Sequence, residues 1–494
     1  MFPNFTCRNL LLINGLLVLL ITTSRAQSRL LHAEAEVGGF VASTKTLPLW
    51  LRANQFGAVP NASPTATLRL ALRRDYTPAD TTRKQRFDWG FGVNPVLNAG
   101  VTNQVLLVES YAKIKWKGVE LYAGRRQERV GLGDTVLSSG FYSGSGNALP
   151  IPKIQIQTIG YQFIPFLKRF VAINAGIGHG WFQADYIQGV FLHQKYLYLR
   201  FGKPSARVQV YAGINHQALW GGQADFLREP PTGAPNGQLP SSLRDYPYIF
   251  TATVPSNWFE RGYNSFDSYR IGNHLGSIDA GLSWSGKQGN LFFYHQHPFE
   301  DVSGLLFLNA PDGLWGLRWA RHTSANPARF QLNRLTMEVL STTNQSGPTF
   351  YITNSRYQGA DNYFNHGQYI QGWSYQAKAI GTPLIPTRHE IQPTLQLPGN
   401  PYFPSNRVQS AYVGAEGQWR NRLILTSRVS VGRYYGTFFQ PFAQPVNQFS
   451  ALLMAHTTLP RWNGVQLITA LAVDQGGLLP PSVGGYIGIK KRWN

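Results

Sequence analysis

His295 and His297 sit one residue apart, the spacing that sends both imidazoles to one face of a strand, where a metal ion can be held. They read more readily as polar lumen or rim residues, and no metal is expected. Glu300-Asp301 is the best adjacent acid pair. Neighbours on a strand point to opposite faces, which suits paired acid and base work poorly, so these two read as solvated loop acids. The chain has no H-E-x-x-H, no G-x-S-x-G and no P-loop, so the common zinc hydrolase, serine hydrolase and nucleotide signatures fail. A hydrolase on a barrel wall would need a serine and a histidine from different strands, and nothing singles out such a pair. The expectation is a non-enzyme with no catalytic residue and no cofactor.

What remains is a binder's chemistry. Long polar segments mix Trp, Tyr, Asn, Gln and Arg, as in Trp258-Phe259-Glu260-Arg261, residues 351–369 and Trp373-Ser374-Tyr375. Aromatic faces stack on the apolar faces of sugar rings, while amides and guanidinium forks satisfy hydroxyls and carboxylates. The candidate polysaccharide-binding residues are Trp258, Arg261, Tyr263, Tyr357, Tyr363, Trp373 and Tyr375. Taken singly, each also fits ordinary loop packing or an interfacial aromatic belt.

The elements that would carry these loops are strands. The chain has 494 residues, 14% charged and 13% aromatic, with 50 Gly and 31 Pro. Few charges and many aromatics exclude a disordered chain, and frequent Gly and Pro exclude a helix-rich enzyme. Segments of about ten residues alternate with period two. In residues 105–116 one face carries Leu106, Val108, Ser110, Ala112, Ile114 and Trp116, and the other Glu109, Tyr111, Lys113 and Lys115. Residues 330–339 set Leu335, Met337 and Val339 opposite Arg334, Thr336 and Glu338. Several apolar faces end in an aromatic (Trp116, Trp419, Tyr434), as an interfacial girdle would. Connections such as Lys117-Gly118 and Arg420-Asn421 are minimal, while 220–267 and 381–406 run long. That asymmetry predicts an all-β transmembrane antiparallel barrel of about eighteen strands, with sixteen as the other even count. Inward-folded loops at 99–104, 131–152 and the Gly221 region would close the lumen. The expected organisation is a signal peptide over 1–26, an N-terminal periplasmic or plug segment over 27–63, and the barrel over 64–494.

The address agrees. Arg8, the apolar stretch 10–21 and Ser24-Arg25-Ala26 read as a secretory signal cleaved after Ala26. Cys7, the only cysteine, lies within it, so the mature chain can build no disulfide or thiolate site. Net charge is +21; removing Arg8 and Arg25 leaves +19, which points to an anionic partner such as lipopolysaccharide or an acidic glycan. The expected location is a Gram-negative outer membrane.

Four blocks resemble one family. Residues 47–57 (Leu-Pro-Leu-Trp50-Leu-Arg52-Ala-Asn54-Gln-Phe-Gly57) are similar to the N-terminal signature of Wzi-type capsule assembly proteins of the Bacteroidetes-like branch. Residues 124–156 resemble that family's longest motif, carrying Arg125, Arg126, Glu128, Asp134 and Asn147. Residues 216–222, with His216 and Trp220, and residues 362–384 resemble two further blocks, all in family order. The resemblance implies an eighteen-stranded outer-membrane barrel with a helical element on the periplasmic side and loops closing the outer mouth. It further implies a surface lectin that holds exported capsular or other polysaccharide, neither an enzyme nor the export channel. Trp50, Arg52, Asn54, Arg125, Arg126, Glu128, Asp134, Asn147, His216 and Trp220 form its motif or lumen network, with the charged members read as ions bracing a plug. The implied partners are the polysaccharide, the bilayer with its lipopolysaccharide and barrel-assembly machinery, with no nucleic acid and a monomeric state. A porin or solute channel is the alternative.

Overall fold

In the computed structural model the described residues are 30–77, 86–266, 268–322, 330–349, 359–396, 399, 401–420 and 422–493. The expected signal peptide, Tyr357 and Asn421 lie outside them. Nineteen extended segments form one antiparallel sheet, and two of these, Lys153–Thr158 and Gln162–Phe163, pair side by side in sequence with the same neighbour, Val171–Phe182. Counted as one interrupted strand, they leave eighteen, an even number. Neighbours in the chain are neighbours in the wall throughout, and Leu31–Ala42 closes the barrel on Ser482–Trp493, with Val37 opposite Ile489. A barrel has no unpaired edge, so the wall pairs its backbone strand to strand without needing water.

The alternation sorts side chains as a membrane wall requires. On the strand Phe330–Ser341, Met337 and Val339 face out while Thr336, Glu338 and Leu340 are buried inside. Trp116, Trp419, Phe87 and Phe330 stand exposed at the rim of short turns, where an amphipathic ring meets the headgroups. The other rim carries the long connections, and by the usual asymmetry it faces outward from the cell.

Five expectations change. The wall begins at Leu31 and not at 64: Leu31–Ala42 is its first strand, because the last strand needs a partner to close the ring. Tyr434 points into the lumen at 3% exposure, sharing parity with buried Ser430. Val108 and Glu109 are both buried, because an extra residue in Gln104–Trp116 opposite Asn94/Pro95 flips the alternation. Residues 99–104 make a tight exposed turn with Val101 outside, and do not fold inward. The helices among the described residues (Leu49–Arg52, Tyr246–Thr251 and Val302–Leu305) belong to the long-loop end, and the short-turn rim carries only 3-10 turns, such as Pro165–Leu167. The implied periplasmic helical element is therefore not seen among them.

The core lies inside the ring. Residues 43–64, 126–152 and the described residues of 342–407 fold down into the lumen and bury Leu47, Trp50, Val59, Tyr142, Phe364, Trp373 and Ile385 in one cluster. Gly57 shows how closely these segments approach: its φ is +68°, and a Cβ there would stand 2.7 Å from the Leu149 nitrogen.

Candidate functional site

The plug is held by the wall through single acids that face inward. Asp279 accepts the Leu132 N–H at 2.8 Å, Glu338 the Ser139 N–H at 2.6 Å, and Asp474 the Leu49 N–H at 2.8 Å. Each satisfies a plug amide that would otherwise be buried without a partner. A lone acid on the inward parity of a nearly uncharged strand was the available signal for these three, and sequence reasoning passed over it.

The motif residues join this frame as separate ties and not as one ion network. Arg52 pairs with Glu390 in the deepest part of the plug, both fully buried. Asp134 accepts from Arg334 and Thr336 of the wall. Arg126 pairs with Glu120 at 2.6 Å and Glu128 with Lys153 at 2.7 Å, again plug to wall. Among the described residues Arg125 makes no ion pair; it donates to the Pro150 carbonyl at 2.8 Å and to Tyr375 Oη at 3.2 Å. Trp50 Nε1 donates to Ser430 Oγ, Asn54 Nδ2 to the Ser139 carbonyl, and Asn147 Nδ2 to the Ala379 carbonyl. His216 Nε2 lies 2.8 Å from His274 Nδ1, and buried Trp220 packs against His179 and Tyr246.

The aromatics expected to stack on sugar are mostly interior. Trp373 Nε1 donates to the Ser143 carbonyl at 2.8 Å, Tyr363 Oη receives the Asn309 amide at 2.7 Å, and Tyr375 packs on Phe182. Trp258 is buried, donating to the Asn264 carbonyl and stacked 4.3 Å from half-buried Tyr263, while Arg261 pairs with Asp245 at 2.9 Å. Tyr363, Trp373, Tyr375 and Trp258 therefore offer no free ring face to a ligand. The two indoles serve backbone carbonyls, while the Tyr363 hydroxyl bonds Asn309 and Asp312 and the Tyr375 hydroxyl accepts from Arg125.

An open concavity does exist at the long-loop rim, a cavity of about 1050 Å³. The loop after Gly289–Phe299 brings Glu300 and Asp301 to it, 265–274 brings Phe266, Tyr269, Arg270 and Asn273, and the 342–407 segment brings Asp361, Arg388 and Tyr402. Glu300 and Asp301 are buried, not solvated loop acids. Glu300 accepts the Phe364 N–H at 2.8 Å; Asp301 caps the turn 302–305 through Ser303 N at 2.7 Å; Asp361 accepts from Ser346 Oγ at 2.9 Å. Burial raises the Glu300 carboxyl to about 8, opposed by the Phe364 N–H and aided by the Asp361 charge. Burial and neighbouring Asp301 likewise raise Asp361 to about 7. Near neutral pH these groups are partly protonated and can donate to a hydroxyl as well as accept. Arg270 Nε and the Asn273 amide nitrogen are buried without hydrogen-bond partners, two donors left over at the cavity wall.

The expected His295–His297 pair is placed otherwise than as a metal site. His295 stacks 3.6 Å from Trp315, and His297 Nε2 lies 3.1 Å from the Gly304 carbonyl. Among the described residues no cluster of three His, Cys, Asp or Glu side chains could hold an ion. Arg270, Asn273, Asp361 and Tyr402 were not singled out in the sequence, since nothing local marks one loop polar residue from another.

No protein-family model matches the chain, and no curated protein does. Among solved structures, the fold is similar to that of Wzi, titled an outer membrane protein involved in group 1 capsule assembly in Escherichia coli and a carbohydrate-binding β-barrel. That similarity has a TM-score of 0.59 at 15% identity and covers 99% of this chain and 89% of that one. Two barrels from Pseudomonas aeruginosa match less well. OprD has a TM-score of 0.44 at 8% identity, covering 94% of this chain and 93% of its own. OccK5 (OpdH) has a TM-score of 0.42 at 7% identity, covering 94% and 97%. The likeness to Wzi is one of fold. With the apolar outer band and aromatic girdle, it places this chain in the outer membrane as a closed eighteen-stranded barrel.

Proposed function

We propose that this outer-membrane barrel, built on the fold it shares with Wzi, is a surface lectin that holds exported polysaccharide through the cavity at its long-loop rim. The observation that carries this reading is the combination in one concavity of ring faces (Phe266, Phe439), protonatable carboxyls (Glu300, Asp361) and two guanidiniums (Arg270, Arg388). Sugars present those needs together: an apolar face, several hydroxyls and, in acidic polymers, a carboxylate. The cavity is shallow for a polymer, so holding is multivalent: weak contacts along one chain add through effective concentration. A solute channel needs an open lumen, and the packing of Trp373, Phe364 and Trp50 across this one supports the lectin over the channel.

The test is co-sedimentation of the purified barrel with the host's surface polysaccharide at low and high salt. Salt-sensitive binding is expected, because the surplus of basic residues acts on an acidic glycan. Salt-independent binding would move the weight to stacking on a neutral glycan. Absence of binding at both, with ion conductance across a planar bilayer, would replace the lectin by a channel.

A further inference from the structure

On the other side of the plug the lumen holds a second cavity, of about 580 Å³. Its ceiling is the plug segment 130–133, and Pro204, Ala206 and Ser285 border its mouth at the short-turn rim. It therefore opens toward the periplasm, and it shares no lining residue with the outer cavity. Its walls are strands, which hold side chains more firmly than loops do.

The chemistry of those walls is not that of a water-filled gap alone. Tyr161, Tyr196 and Tyr211 present half-buried rings, with Tyr161 edge-on to Tyr211 at 5.7 Å. Planar amides stand between them: Gln209 accepts from Tyr211 Oη at 3.0 Å and Gln157 from Tyr196 Oη at 2.8 Å. The ion balance is uneven. Arg126 and Lys153 are each matched by an acid, Glu120 and Glu128. Arg129 and Arg318 have no carboxylate within ion-pair distance among the described residues; Arg129 lies over the Phe56 ring, and Arg318 donates to Asn290. Gln155, 1% exposed, leaves its Oε1 without a partner, as do Tyr161 Oη and Arg318 Nε. A volume of 580 Å³ lies within the range of small-ligand sites.

We propose that this inner vestibule is a second binding site, for a short stretch of acidic saccharide presented from the periplasmic side. Tyrosine faces take the apolar faces of the sugar rings, the amides take hydroxyls, and Arg129 and Arg318 take a carboxylate. Because the plug lies between the two cavities, the vestibule samples ligand independently of the outer site.

The experiment is calorimetric titration of the full barrel in nanodiscs, which leave both rims accessible, with trigalacturonate as acidic probe and maltotriose as neutral probe. With the outer cavity disabled by Arg270→Gln and Arg388→Gln, trigalacturonate is expected still to bind, and that remaining binding is expected to weaken at least about tenfold when Arg318→Gln is added. Ala206→Trp, which fills the mouth from a turn and removes no wall contact, is expected to abolish the remaining binding even if Arg318→Gln fails to fold. Absence of trigalacturonate binding in the outer-cavity double variant would overturn the proposal, as would remaining binding kept in Ala206→Trp. Equal binding of maltotriose would overturn its acidic character.

Discussion

The two cavities differ in what builds them. The outer one is made of loops and carries three buried carboxyls, Glu300, Asp301 and Asp361, against two arginines. The inner one is walled by strands beneath a plug ceiling; its one lining acid, Glu128, is paired with Lys153, and two arginines, Arg129 and Arg318, are in surplus. Loops can be rebuilt for a new ligand without touching strand pairing, whereas an inner-wall residue also belongs to the barrel. The outer site is thus the adjustable one, the inner the constant one, and the plug is what keeps them apart.

The largest expected effect comes from breaking that separation. Arg52→Met leaves Glu390 buried without its charge partner, a loss of about 3–5 kcal/mol. The temperature at which the folded barrel loses its fast gel mobility should drop markedly, and the double variant with Glu390→Gln should recover much of it. If Arg52→Met is as stable as the parent, the pair does not brace the plug.

Acidity comes next and should act on the outer cavity. Glu300 and Asp361 titrate near 8 and 7 in the fold, against ordinary values of 4.5 and 3.8. Between those limits the folded state keeps protons that the unfolded chain has released. Stability is therefore fully present at low pH and is lost as pH rises through 7 and 8, by at most about 1.4 kcal/mol per pH unit for each group. Hydrogen exchange in the loop after Phe299, corrected for the intrinsic pH dependence of amide exchange, should accelerate from pH 6 to 9. Glu300→Gln should flatten the dependence; a slope that survives in Glu300→Gln combined with Asp361→Asn would assign it elsewhere.

A smaller change sharpens the contrast in binding. Arg270→Gln should weaken retention of surface polysaccharide about tenfold, near 1.4 kcal/mol, with thermal stability unchanged because Arg270 makes no ion pair among the described residues. Retention equal to the parent would take Arg270 out of the outer site. The smallest effect belongs to the plug itself. Trp373→Phe gives up the hydrogen bond to the Ser143 carbonyl, about 1 kcal/mol, and should leave both binding reactions as they were. A large loss of binding would mean that Trp373 does more than pack.

Much of the wall is legible along the chain, while little of either cavity is. Met337 and Val339 against Thr336 and Glu338 sort by parity alone, and Trp116 and Trp419 stand at the rim where an apolar face ends. The same logic fails at Val108, where one extra residue shifts the phase, and at Tyr434, an aromatic at a strand end whose parity is inward. It fails most for Trp258, Tyr363, Trp373 and Tyr375, read as ligand-facing because they lie in long polar segments. In a soluble protein such segments run over the surface. Inside a barrel they are the core.

The amino-acid sequence by itself determined the period-two wall, an even ring of about eighteen strands and the contrast between short and long connections. Those follow from backbone geometry that repeats every two residues and needs no distant partner. Only the tertiary structure decided which acids hold the plug, which aromatics are buried and where the two cavities lie. Trp373 meets Ser143 across 230 residues of chain, and Arg52 meets Glu390 across 338. Contacts of that span exist only once the first strand has closed on the last, because closure is what turns a set of loops into the filling of a lumen.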